Sequence, residues 1–215
     1  RQRQMCIRDS IKVEKVLLAV GVTGNINNLG LEDLGIETEA GAIKTDNFNR
    51  TNIENIYAIG DVCGPPWLAH VASAQGHLAA EHSAGLNVNP IDYSNIPGCT
   101  YCQPQVGSLG MTEEQAISSG FKVKVGRFSF QASGKAMATG NTIGFVKLIF
   151  DEKYGELLGA HIVGSEATEM IAELGMAKAL ESTWDDLSMT VHAHPTLSEA
   201  IMEAAMDAQG HSIHQ

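Results

Sequence analysis

With 215 residues, 44% of them hydrophobic and 18% charged, the chain is long enough to bury one large core or two smaller ones and has the balance of a globular protein. Its net charge of -11 repels phosphate backbones and no Lys/Arg cluster offers a local exception, which argues against nucleic acid as a partner. No apolar run approaches the roughly 20 residues needed to cross a bilayer, which argues against a membrane protein.

The opening RQRQMCIRDS is polar and basic and lacks the apolar stretch of a signal peptide, so residues 1–10 are read as a foreign or unassigned leader. Val13–Val20 (VEKVLLAV), ending at Gly21, has the apolar, β-branched character of a buried strand. Such a strand needs neighbours for its backbone, and only the leader precedes it, so the rest of its sheet is expected outside this sequence. Asn25–Asn55 is loop-rich. Ile56–Gly60 (IYAIG) predicts a second buried strand with Asp61 just past its end, and Leu68–Leu86 predicts a helix, punctuated by Pro65 and Pro66 before it and Gly85 near its close.

Asn87–Gly98, rich in Asn and carrying Pro90 and Pro97, reads as a domain boundary, with a new module starting near Pro97. There Thr112 and Gln115 fit a capping box opening a short helix. Strands are predicted over Phe121–Phe130, Gly144–Phe150 and Glu156–Val163, with Asp151–Gly155 (DEKYG) turning a hairpin. Helical spacing then covers Glu166–Leu180, Trp184–Met189 and Leu197–Ala208. Antiparallel strands followed by helices make an α+β module.

Two constellations carry chemistry. Asp61, a carboxylate at the end of a strand, is placed to accept hydrogen bonds from ligand hydroxyls, although an Asp there also fits a simple turn cap. In HAHPTLSEA, Glu199 follows His194 by five residues on the first turn of a predicted helix, close enough to hold the imidazole. That bond fixes the tautomer and favours imidazolium, which suits a base that takes a proton from a thiol. Thr196 and Glu199 also satisfy the capping-box pattern, so Glu199 has a structural reading, or both. Pro195 allows the bond after His194 to be cis.

Three segments together resemble the flavoprotein pyridine-nucleotide disulfide oxidoreductases: LLAVG at Leu17–Gly21, IYAIGDVCGPPWLAHVASAQG at Ile56–Gly76, and HAHPTLSEA at His192–Ala200. GELLGAHIVG at Gly155–Gly164 lies within the same span, and the similarity covers everything after the leader. The combination of WLAH with HPTLSEA most resembles the branch that oxidises dihydrolipoyl groups and passes electrons through a redox disulfide and FAD to NAD. The resemblance implies that residues 11–24 end an NAD-binding domain, 25–90 form the C-terminal part of an FAD-binding domain, and 97–215 form an antiparallel, helix-covered dimerisation domain.

It further implies FAD contacts at Asp61, Trp67, Leu68, Ala69 and His70, and a cofactor contact at Gly21. GVTGN at Gly21–Asn25 departs from the Arg pair that many members place there. His194 becomes the acid/base residue and Glu199 its orienting partner, working across the two-fold axis of a homodimer on lipoyl domains of 2-oxo-acid dehydrogenase complexes. The family's Gly-rich phosphate loops and redox-active cysteine pair have no counterpart in this sequence. Alternatives are the related glutathione or mercuric reductases, or a catalytically incomplete dimerisation fragment.

Other signals are weaker. Cys6, Cys63, Cys99 and Cys102 are too sparse for a secreted disulfide scaffold, so a reducing, cytoplasmic setting is expected. Cys99 and Cys102 make a CxxC that fits packing near a strand better than a redox motif or half a zinc site, and no metal is expected. His192 with His194, and His211 with His214, resemble ligand pairs, but no carboxylate or thiol spacing completes them, which leaves structural or solvent-facing roles. Met170, Met176, Met202 and Met206 recur on helical faces and are expected in the core or a dimer interface.

Overall fold

The structure, a computed structural model, describes residues 10–214; nearly all of the predicted leader, with Cys6, lies outside the described residues. The chain forms two compact units that divide between Ile91 and Asp92.

In the first unit residues 11–24 are irregular and almost wholly exposed, Leu17 keeping 91% of its accessible surface. The strand expected over Val13–Val20 is therefore not formed. Apolar, β-branched text becomes a strand only where a neighbouring backbone takes its N–H and C=O groups, and among the described residues none pairs with it. A short helix α1 (Leu31–Leu34) lies between Gly30 and Gly35, and strands β1 (Thr38–Glu39) and β2 (Ala42–Ile43) form a two-stranded hairpin. The second expected strand, Ile56–Gly60, is also absent. Tyr57 alone bridges Arg50, and Gly60–Cys63 winds into a 3-10 turn. Ile56 and Ala58 instead join a small core with Leu31, Ile36 and Ile43. Helix α2 (Ala69–Ser83) follows, and just past its end Gly85, at φ 77°, lets the Leu86 N–H return to the Glu81 carbonyl at 3.1 Å.

In the second unit five antiparallel strands run in the order β3-β4-β7-β6-β5, namely β3 (Gly98–Thr100), β4 (Gln105–Gly110), β5 (Val123–Ser129), β6 (Phe145–Asp151) and β7 (Leu157–Gly164). The DEKYG turn closes between β6 and β7 with the Gly155 N–H donating to the Asp151 carbonyl at 2.8 Å. Helix α3 (Glu113–Ser118) starts at the capping box of Thr112 and Gln115 and packs Ala116 with Ile149 and Leu158. Helix α4 (Gly134–Thr139) is capped by Ser133. Helices α5 (Ala167–Ala179), α6 (Trp184–Met189) and α7 (Glu199–Ala208) complete the unit, α5 lying on β4 and β7 and α7 on β5 and β6.

The main core joins Phe130, Val146, Phe150 and Ile162 to Ile171, Leu174 and Ile201, all essentially without exposure. Each such side chain contributes about 1.5–3 kcal/mol by leaving water, so this face is the principal source of stability. The unit is α+β, as the order of strands and helices predicts.

Strands β3 and β4 are additions to what the sequence suggests. Their Gly-rich text hides them because a Cβ on Gly107 would stand 2.6 Å from the Ala167 carbonyl oxygen. Glycine is there to let α5 approach, and the β-branched signal is lost with it.

Candidate active site

The loop between α6 and α7 carries His194. Two short bonds shape it: Thr190 Oγ1 donates to the Asp186 carbonyl and Thr196 Oγ1 to the Ala193 carbonyl, each at 2.7 Å. The His194–Pro195 peptide is cis. Glu199, at the start of α7, accepts the Thr196 N–H on Oε2 at 2.8 Å and meets Nδ1 of His194 with Oε1 at 2.8 Å. One carboxylate thus holds both the ring and the Thr196 N–H, but the capping box is not completed: α7 is capped at Ser198 without a side-chain bond, and the Thr196 hydroxyl is turned to Ala193.

The His194 side chain is 77% exposed. With Nδ1 turned to the carboxylate, Nε2 faces outward and meets no partner among the described residues, so in the neutral ring it is the nitrogen that offers a lone pair. Burial works against ionising Glu199. The Thr196 N–H, the bond from His194 and the charges of His194 and His192 outweigh it and hold the carboxyl below its ordinary range. The result is an exposed base with a fixed anion behind it, opening on a cavity of about 250 Å3 lined in part by Phe128, Met137 and His214.

The predicted flavin-side residues lie in the first unit. Asp61 is exposed on the 3-10 turn, which packs against α2: the Gly60 N–H donates to Gln75 Oε1 at 2.7 Å. Trp67 is 39% exposed and borders a cavity of about 460 Å3 with Thr23, Gly41, Cys63 and Pro65. Leu68 is the N-cap of α2 and gives no side-chain cap, while Ala69 and His70 begin the helix, exposed. An uncapped helix start with no acidic first-turn residue suits a ligand carrying negative charge. Gly21 is exposed at φ 99° and stands apart, with open space where a Cβ would be. Its neighbour Gly24 instead lies against the Asp61 carbonyl, where a Cβ would come within 2.8 Å.

Two imidazole–carboxylate pairs escaped the sequence. Nε2 of His192 sits 2.7 Å from Oε1 of Glu173, and Nδ1 of His214 sits 2.6 Å from Oε1 of Glu203. The carboxylates lie 19 and 11 residues away on helices α5 and α7, beyond any local spacing rule. The solvent-facing alternative therefore fails for the His192 side chain, which is only 6% exposed. Cys63, Cys99 and Cys102 are free; burial pushes the Cys63 thiol up to about 11, and Cys99 packs against the main core. Met170 is buried and Met176 exposed. Among the described residues no group of three or more His, Cys, Asp or Glu gathers as metal ligands would, and no helix is long and apolar enough to cross a membrane.

A helix-covered antiparallel sheet with a loop-borne His–Glu pair, preceded by a unit with an uncapped helix start, defines the class of protein. The chain belongs to the pyridine nucleotide-disulphide oxidoreductase family, whose dimerisation domain matches residues 96–205 and whose pyridine nucleotide-disulphide oxidoreductase domain matches residues 6–76.

Among individual proteins it is similar to the dihydrolipoyl dehydrogenase of Rhizobium etli, 53% identical over 201 residues that cover 93% of this chain and 42% of that one. Among solved structures it resembles LpdA of Mycobacterium tuberculosis, with a TM-score of 0.83 and 29% identity over 88% of this chain and 41% of that one. It also resembles the HOCl-induced flavoprotein disulfide reductase RclA of Escherichia coli, with a TM-score of 0.82 and 27% identity over 87% and 43% of the two chains. The chain spans about two fifths of the length of the curated relatives it matches.

Proposed function

We propose that this chain is the part of a dihydrolipoyl dehydrogenase that supplies the thiol-side acid/base pair and a portion of the flavin site. The His194–Glu199 geometry carries the proposal, and the identity to relatives of that name supports it. In this scheme residues 11–24 close an NAD domain, 25–90 complete an FAD domain and 97–215 form the dimerisation domain of a homodimer.

A lipoyl domain of a 2-oxo-acid dehydrogenase complex presents its dithiol to Nε2 of His194, which takes a proton from one sulfur. The thiolate attacks a redox disulfide of the other subunit, forming a mixed disulfide and releasing one protein thiolate. The second lipoyl sulfur then displaces the other protein sulfur, so the lipoyl ring closes as a disulfide and the protein keeps the electron pair as a dithiol. The chemistry that bound FAD would supply is two-electron acceptance between that dithiol and NAD. Glu199 holds the ring and balances its charge throughout. This chemistry requires a disulfide that Cys63, Cys99 and Cys102 do not form, and their free thiols suit a reducing cytoplasm.

Asp61 would accept hydrogen bonds from hydroxyls of the FAD chain, and the α2 start, with Trp67, Leu68, Ala69 and His70, would face its electron-rich end. Gly21 would border the nucleotide.

In the dimeric flavoenzyme carrying these residues, His194→Ala should lower dihydrolipoamide-dependent NAD reduction by about 10²–10⁴ while flavin stays bound. Turnover equal to the parent's would defeat the assignment of the base.

A further inference from the structure

A ring as exposed as His194, on a loop, with one hydrogen bond of its own, needs its backbone fixed from elsewhere. Misplacing an acid/base group by about 1 Å can cost on the order of a hundredfold in rate. His192, two residues earlier, supplies such a fixing point. Its buried ring has Nε2 2.7 Å from Glu173 Oε1, within α5, and Nδ1 2.9 Å from the carbonyl of Thr190, the residue that ends α6. Each ring nitrogen thus has its own partner, and the ring bridges the two elements. The loop is thereby tied to α5 and to the end of α6 at once. Helix α5 is anchored in turn by Met170, Ile171 and Leu174 in the main core. The charge of His192 also reaches Glu199, so the two pairs are linked electrostatically as well as through the chain.

We infer that His192 and Glu173 are positioning residues for the His194–Glu199 pair, a strut that sets where the exposed base stands without itself touching the thiol. This rests on His194 being the thiol base.

Glu173 is only partly buried, and Ala is a strong helix former, so Glu173→Ala leaves α5 intact. In the flavin-loaded dimer, Glu173→Ala should lower kcat for dihydrolipoamide about tenfold with KM within about twofold. Glu173→Gln, which keeps an acceptor oxygen, should recover kcat to within about threefold of the parent. Flavin-mediated oxidation of NADH by an artificial one-electron acceptor, which uses no thiol base, should be unchanged in both.

A Glu173→Ala enzyme within about twofold of the parent on dihydrolipoamide overturns the inference, as does a parallel fall in both assays, which marks a purely structural role. A Gln variant as impaired as Ala overturns it too, because the hydrogen bond is then not the cause. If Glu173→Ala does not assemble, His192→Gln, which cannot span both acceptors, decides by the same two assays. His194→Ala run alongside separates the levels: full thiol turnover there defeats the base itself, whereas its loss with normal Glu173 and His192 variants defeats only the strut.

Discussion

A Cβ built on Gly126 would run into the carbonyl oxygen of Ala204. Strand β5 and helix α7 thus meet backbone to backbone, and the helix that opens with Glu199 lies at a depth only glycine allows. Gly126→Ala has to lift α7 from the sheet, opening the packing around Ile201, and should destabilise the protein by about 3 kcal/mol. The denaturant midpoint measures this. Because Glu199 rides on α7, turnover that depends on His194 should fall with it, even in molecules that remain folded.

Gly175 should behave in the opposite way. It lies inside α5, and nothing stands within 4 Å of where its Cβ would be. Its carbonyl accepts from Asn95 Nδ2 at 3.1 Å, a bond that a methyl group on Cα leaves untouched. Gly175→Ala should therefore stabilise by about 0.5–1 kcal/mol, by restricting the unfolded chain and favouring the helix, and a rise in Tm checks it.

The second unit was far more legible in the sequence than the first, for a physical reason. β5, β6 and β7 pair with one another and α5 to α7 cover them, so each apolar pattern finds its complement within the same stretch of chain. Val13–Val20 and Ile56–Gly60 have equally strand-like text, but the former has no pairing partner among the described residues and the latter makes one isolated bridge at Tyr57, through backbone bonds of Ile56 and Ala58 to Thr51 and Asn49. Side-chain chemistry follows the same rule of locality. His194 and Glu199 are five residues apart and were found; His192 and Glu173 are 19 apart on separate elements and were not.

Asp61→Ala should weaken flavin retention. The carboxylate is exposed on the turn before α2 and gives no side-chain cap there, so stability should change by less than about 0.5 kcal/mol. Losing a charge-assisted acceptor costs about 1.5–3 kcal/mol of binding, which weakens affinity roughly 10- to 100-fold. Absorbance of bound flavin after dialysis reads this directly. Asp61→Asn, which keeps one acceptor oxygen, should fall between; undiminished flavin in the Ala variant removes Asp61 from the site.

Glu203, one turn beyond Glu199 on α7, is 3% exposed and gathers the end of the chain around its carboxylate. Ser212 Oγ and the N–H groups of Ile213 and His214 donate to Oε2 at 3.2–3.3 Å, and His214 Nδ1 lies 2.6 Å from Oε1. Burial alone would raise its pKa, but His214 and the backbone donors outweigh burial and hold it below its ordinary 4.5. The folded protein therefore binds this proton less readily than the unfolded chain. The stabilisation is full above the unfolded value and is lost as pH falls through the depressed folded value. Asp46, Asp92, Glu113, Asp186 and Glu199 are lowered as well, so acid weakens the protein at several places at once. Glu203→Gln keeps the shape and removes only this contribution. The difference in unfolding free energy between parent and variant should thus be constant near neutrality and shrink as pH falls through the ordinary 4.5 and below it. A difference that stays constant through that range would mean that the charge on Glu203 does not hold the tail.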